Sequence, residues 1–137
     1  DGSEINDGDY VGLIVLQGCY SFIGITKEDG KYYLVKLVRS DIEKPNQIGY
    51  TDLKEGELVF KKEIFEAKAD IRIRADFTNM IDLADSYYFD EKWEKIGESH
   101  KLKFGLDHFT GARFGLCVFS TKVVGGTGVF EKFEYEY

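Results

Sequence analysis

Long apolar runs, clustered basic side chains and cysteine–histidine motifs are all missing from this chain. No stretch approaches the roughly 20 apolar residues that cross a bilayer, and no basic segment leads into an apolar one near Asp1. A soluble domain with no membrane partner is therefore expected, in a secreted or cytoplasmic compartment that the residues leave open. Lysine and arginine number 18 against 25 acidic side chains, for a net charge of −7, and Lys36, Arg39, Arg72, Arg74 and Arg113 lie scattered. Nucleic acid, whose binding needs clustered cations to neutralise phosphates, is not an expected partner. His100 and His108 have no zinc-spaced neighbours, so both are expected on the surface or in loops. Ser21, Ser86, Ser99 and the other serines occupy no Gly-x-Ser-x-Gly elbow, and no glycine-rich phosphate loop precedes a helix. Cys19 and Cys117 are too few for a disulfide framework and are expected as buried thiols.

The 137 residues, 43% hydrophobic and 15% aromatic, suffice for one core and one domain. Apolar side chains alternate with period two along most of the chain, and no window carries a helical stripe, so the fold class is all-β. Strands are expected over 10–16, 20–26, 32–38, 58–65, 67–75, 83–89, 93–96, 101–104, 113–119 and 129–135. Asp29-Gly30 marks a tight hairpin, and 40–56, with the only proline, Pro45, is the longest loop. Lys68, Asp70, Arg72 and Arg74 alternate with Ala69, Ile71 and Ile73, the pattern of an antiparallel sheet with one wet face. Short strands at regular spacing predict two stacked sheets.

Chemistry is sparse. Carboxylates are too abundant for any pair to mark an acid and a base. Asp7-Gly8-Asp9 is a turn whose two carboxylates form a weak candidate for structural calcium, with no other cofactor expected. Nine tyrosines, eleven phenylalanines and Trp93 exceed the ordinary needs of a core. An aromatic ring can carry the C–H face of a pyranose while polar groups at its rim bond the hydroxyls. Tyr20, Tyr88, Trp93 and Phe109, at strand ends or beside turns, are the candidates for that role.

The C-terminal run Leu106-Asp107-His108-Phe109-Thr110-Gly111-Ala112-Arg113-Phe114-Gly115-Leu116 is followed by Thr121-Lys122, Gly125-Gly126 and Phe130-Glu131-Lys132-Phe133. Upstream stand Gly12-Leu13, Gln17-Gly18-Cys19-Tyr20, Ile71-Arg72-Ile73-Arg74-Ala75-Asp76 and Tyr87-Tyr88-Phe89-Asp90 ahead of Trp93. In order and spacing these resemble the C-terminal β-sandwich of family 43 glycoside hydrolases, the β-xylosidases and α-L-arabinofuranosidases. The resemblance implies a concanavalin A-like jelly-roll of two antiparallel sheets. It also implies an accessory role toward xylan, xylooligosaccharides or arabinoxylan, with carbohydrate binding or pure structural support as alternatives. The family's catalytic carboxylates sit on a separate propeller, so no residue here inherits an acid or base role, and that propeller is an expected partner. Phe109 matches the phenylalanine that in some members reaches across to close the catalytic pocket. The chain departs from the family at Thr127-Gly128-Val129, where a tyrosine and an aspartate are usual. The family sandwich is also longer, so its opening strands are expected to be missing here, leaving a sheet edge open to a second copy.

Overall fold

The computed structural model describes residues 1–40, 55–78, 82–102 and 112–136. Its strands are β1 (Asp9–Gln17), β2 (Cys19–Glu28), β3 (Lys31–Arg39), β4 (Glu57–Ile64), β5 (Ile71–Asp76), β6 (Leu83–Asp90), β7 (Lys92–Lys101) and β8 (Arg113–Ser120). They form a five-stranded sheet, β4-β3-β2-β1-β8, and a three-stranded sheet, β5-β6-β7, with every pairing antiparallel. The described residues contain no α-helix. This is the two-sheet antiparallel β-sandwich that the alternation predicts.

The turns follow from residues that tolerate positive φ. Gly18, at φ 70°, reverses the chain between β1 and β2, and Asp29 and Gly30, at 50° and 78°, close the β2–β3 hairpin. Register then fixes the faces. Val11, Leu13 and Val15 of β1 share a face with Ile23 and Ile25 of β2 and with Leu34 and Lys36 of β3. Onto that face the small sheet lays Ile71, Ile73, Ala84, Ser86, Tyr88 and Ile96. Full burial of each large aliphatic side chain here contributes about 1.5–3 kcal/mol.

The large sheet is apolar on its other face as well, unlike β5 with its wet side. Tyr10, Phe22 and Phe119 form a cluster there, with the Tyr10 and Phe119 rings stacked at 4.8 Å and Phe22 edge-on to Phe119 at 5.5 Å. The near-continuous apolar run of β2 reflects this, since it is buried on both sides. Gly12 and Gly24 face each other across β1 and β2, so close that a Cβ on either would overlap the opposite backbone.

Two expected strands are corrected. The stretch 93–96 belongs to a longer strand, β7, which continues through a bulge to Lys101, the first residue of the expected 101–104, whose residues 103 and 104 lie outside the described residues: Ser86 pairs with Ile96 and Ala84 with His100, leaving Gly97, Glu98 and Ser99 opposite Asp85 alone. Gly97 takes φ 61° there, and the break in alternation hides the continuity. Residues 129–135 alternate like a strand but pair with none. Phe130 instead packs against Ile5, Val11 and Ile25, and Tyr135 meets Phe114 edge-on at 5.7 Å. The expected loop falls largely on 41–54, outside the described residues.

Candidate functional site

The outward face of the small sheet carries a pair of exposed aromatics. A three-residue reversal through Asp90, Glu91 (φ 61°) and Lys92 places Phe89 directly across from Trp93. Their rings meet edge-to-face at 5.5 Å, and they remain 47% and 38% exposed. One strand over, the Arg72 guanidinium lies 4.1 Å from the centre of the Trp93 ring. Arg72 pairs with Tyr87 and Tyr87 with Lys95, so these three also point outward. Phe89 and Arg72 were not singled out by sequence. Period-two parity across the β6–β7 turn is the signal that would have found Phe89.

The other candidates lie elsewhere. Tyr88, one position from Phe89, faces the opposite way, into the space between the sheets. Its hydroxyl accepts from Lys62 at 3.0 Å and donates to Glu94 at 2.8 Å, and the Lys62 ammonium covers its ring at 5.0 Å. Tyr20 is only 6% exposed, packed with Phe22, Val35 and Leu37 on the far face of the large sheet. Trp93, Tyr88 and Tyr20 thus occupy three different faces and form no common site. Phe109 lies outside the described residues.

Asp7 and Asp9 turn to different amides. Asp7 accepts from the Gly30 N–H at 3.3 Å, whereas Asp9, fully buried, accepts from the Asn6 N–H at 2.9 Å and leaves Oδ1 without a partner. Among the described residues no group of three or more acidic, histidine or cysteine side chains converges as a metal site. Cys19 and Cys117 form no disulfide. They point to opposite faces of the large sheet, Cys19 donating to the Ser40 carbonyl at 3.1 Å. Burial pushes the Cys117 thiol up.

A polar cluster occupies the flank where edge strands β4 and β7 approach one another. Lys36 is fully buried, and its ammonium donates to the Glu98 carbonyl at 2.7 Å and the Ile96 carbonyl at 3.3 Å. Glu98 lies in the β7 bulge, whereas Ile96 stands beside it, paired with Ser86. Burial holds Lys36 below the usual lysine range. On the outer side of the bulge, Ser99 donates to Asp85, and Lys95 pairs with the same carboxylate at 3.0 Å. Burial alone would raise the Asp85 carboxyl, but those two partners outweigh it and hold it low. His100, expected on the surface, is instead 7% exposed on the inward face of β7. Burial first, then the Lys36 charge, keeps its imidazole below the ordinary histidine range, partly offset by a hydrogen bond to the Arg39 backbone.

These features define a two-sheet β-sandwich module that presents an aromatic sheet face. The family of β-xylosidase C-terminal concanavalin A-like domains matches residues 3–136, and the chain belongs to that family. Among solved structures, a GH43 glycoside hydrolase engineered to display both endo-xylanase and exo-arabinofuranosidase activity superposes with a TM-score of 0.77 at 24% identity, sharing the fold. A bifunctional GH43-CE protein of Bacteroides eggerthii superposes with a TM-score of 0.75 at 29% identity. Each alignment covers 92% of this chain, which spans only 25% and 15% of those proteins' lengths. No curated protein matches the chain. Among the described residues no helix is long and apolar enough to cross a membrane.

Proposed function

We propose that this chain is a non-catalytic, carbohydrate-binding accessory module of a hemicellulose-degrading family 43 glycosidase that acts on xylan, xylooligosaccharides or arabinoxylan. The observation that carries the reading is the exposed Phe89–Trp93 pair on a flat sheet face, with Arg72 stacked on the indole. Aromatic rings held by a ladder lose little conformational freedom when a sugar ring lies on them, and Arg72 and Lys95 place N–H donors at the rim for hydroxyls. Family membership supports the setting, in which a catalytic propeller is the partner. Phe109 is its contact, closing the sugar pocket and excluding water.

Affinity electrophoresis in xylan gels and calorimetry with xylooligosaccharides test the binding. Retardation lost in Trp93→Ala supports it; an intact domain that runs identically with and without xylan refutes it.

A purely structural role is favoured by a separate observation. Phe65 is 99% exposed and Val124 85%, while Leu116 and Val118, on the inward face of β8, stay 44% and 42% exposed beyond the small sheet. Such a surface suits burial against a propeller, or against a second copy at an open sheet edge. Co-expression with a family 43 propeller tests this reading, which fails if no complex forms and activity is unchanged.

A further inference from the structure

We infer that the outward face of the small sheet takes an acidic saccharide, a xylan-type chain whose side groups carry a carboxylate, as uronic acids do. Arg72, Arg74 and Lys95 lie apart in sequence, but the ladder gathers them. Phe89 and Trp93 stand in one row across the sheet, Arg72, Tyr87 and Lys95 in the next, and Arg74 and Asp85 in a third. Successive rows on one face of a sheet lie about 6.5 Å apart. A sugar ring resting on the Phe89–Trp93 pair therefore has cations within reach of its substituents. Arg72, Arg74, Phe89, Trp93 and Lys95 are all exposed, so a ligand meets them from solvent without entering the core.

The charge of the ligand follows from cations that lack counter-ions. The Trp93 indole takes one face of the Arg72 guanidinium at 4.1 Å, which leaves the N–H groups, all in the plane, at the open edge. Those donors form the fork that meets a carboxylate with two parallel bonds. Among the described residues neither Arg72 nor Arg74 forms an ion pair. The carboxylates of the same face are committed elsewhere. Asp85 is held by Lys95 at 3.0 Å and by Ser99. Asp76 accepts from the Thr78 amide at 2.9 Å and its hydroxyl at 2.6 Å. Asp70 acts on Lys68 and on the N-terminal ammonium. In a chain of net charge −7, two unanswered guanidiniums beside an aromatic pair reverse the local sign. They repel one another, and a ligand carboxylate relieves that repulsion. A neutral xylooligosaccharide uses the rings but leaves the charge unanswered.

This inference rests on the saccharide reading above and adds the charge of its ligand. Calorimetry at low ionic strength compares xylotetraose, the same oligosaccharide bearing one glucuronic acid side group, and that acidic ligand with its carboxyl reduced to the alcohol. The acidic ligand is expected to bind about tenfold more tightly than either neutral one. Its advantage should shrink as salt is raised, and should fall to about twofold or less in the Arg72→Gln/Arg74→Gln double variant. Equal affinity of the three ligands for the wild-type chain overturns the inference and preserves the saccharide reading. An advantage that persists undiminished in the double variant overturns the role of the two arginines. Absence of binding by all three ligands to a folded wild-type chain removes the saccharide reading and this inference together.

Discussion

Lys36→Met isolates the contribution of a buried ammonium that bridges the two sheets. The change keeps a flexible apolar stem of similar length and removes the donor that satisfies the Ile96 and Glu98 carbonyls. The Ile96 bond is buried, so its orphaned carbonyl costs about 1–3 kcal/mol; the partly buried Glu98 bond, within reach of water, costs about 0.5–1.5 kcal/mol. Against these stands the relief of desolvating a charge, whose presence the lowered Lys36 pKa registers. The net expectation is a loss of about 2 kcal/mol, measured by urea unfolding with an unchanged m-value. The gap between wild type and variant should widen with alkaline pH. From the depressed folded pKa up to the unfolded value of 10.5, the unfolded wild type binds the extra proton, so wild-type stability rises there. A variant as stable as wild type, or more so, would refute the claim that Lys36 holds the bulge.

Three further expectations follow. Gly12→Ala should cost about 3 kcal/mol, because its Cβ would overlap the Ile23 carbonyl across the ladder, where backbone has no room to yield; thermal unfolding checks it. Stability should fall as pH drops from 6.5 through the lower folded pKa of His100 and then level off, a component that His100→Asn removes; Asp85, held below 3.8, contributes stability lost only at more acid pH. Cys19 and Cys117 should both resist a thiol reagent in the native state and both react in denaturant. A non-reducing gel should show no internal cross-link, since they sit on opposite faces of one sheet.

The strands were largely legible because apolar alternation recurs along the chain, from Tyr10–Leu16 through Arg113–Phe119, and β2, buried on both sides, reads as a short apolar run between Gly18 and Asp29-Gly30. Residues 129–135 share that rhythm but are anchored by Phe130 and Tyr135 without a ladder, and alternation cannot distinguish the two arrangements. The continuity of β7 was hidden because Gly97, Glu98 and Ser99 bring no apolar residue to the expected rhythm, three residues standing opposite Asp85 alone. His100, four residues after Ile96, keeps the same inward face, which composition alone does not reveal. At the candidate site, Trp93 was legible as an aromatic next to a turn. Its partners depend on register: Phe89 across the hairpin, and Arg72 from a strand far away in sequence. Tyr88 and Tyr20 shared Trp93's local signal, but the faces they take are set by tertiary packing.

Calorimetric titration of the intact domain with xylohexaose, wild type against Trp93→Ala, tests the central claim most directly. The account predicts saturable binding that weakens by about 30-fold in the variant, the roughly 2 kcal/mol lost when a central tryptophan anchor is truncated. Binding of equal strength in both proteins, or none to a wild-type domain shown to be folded, would contradict it.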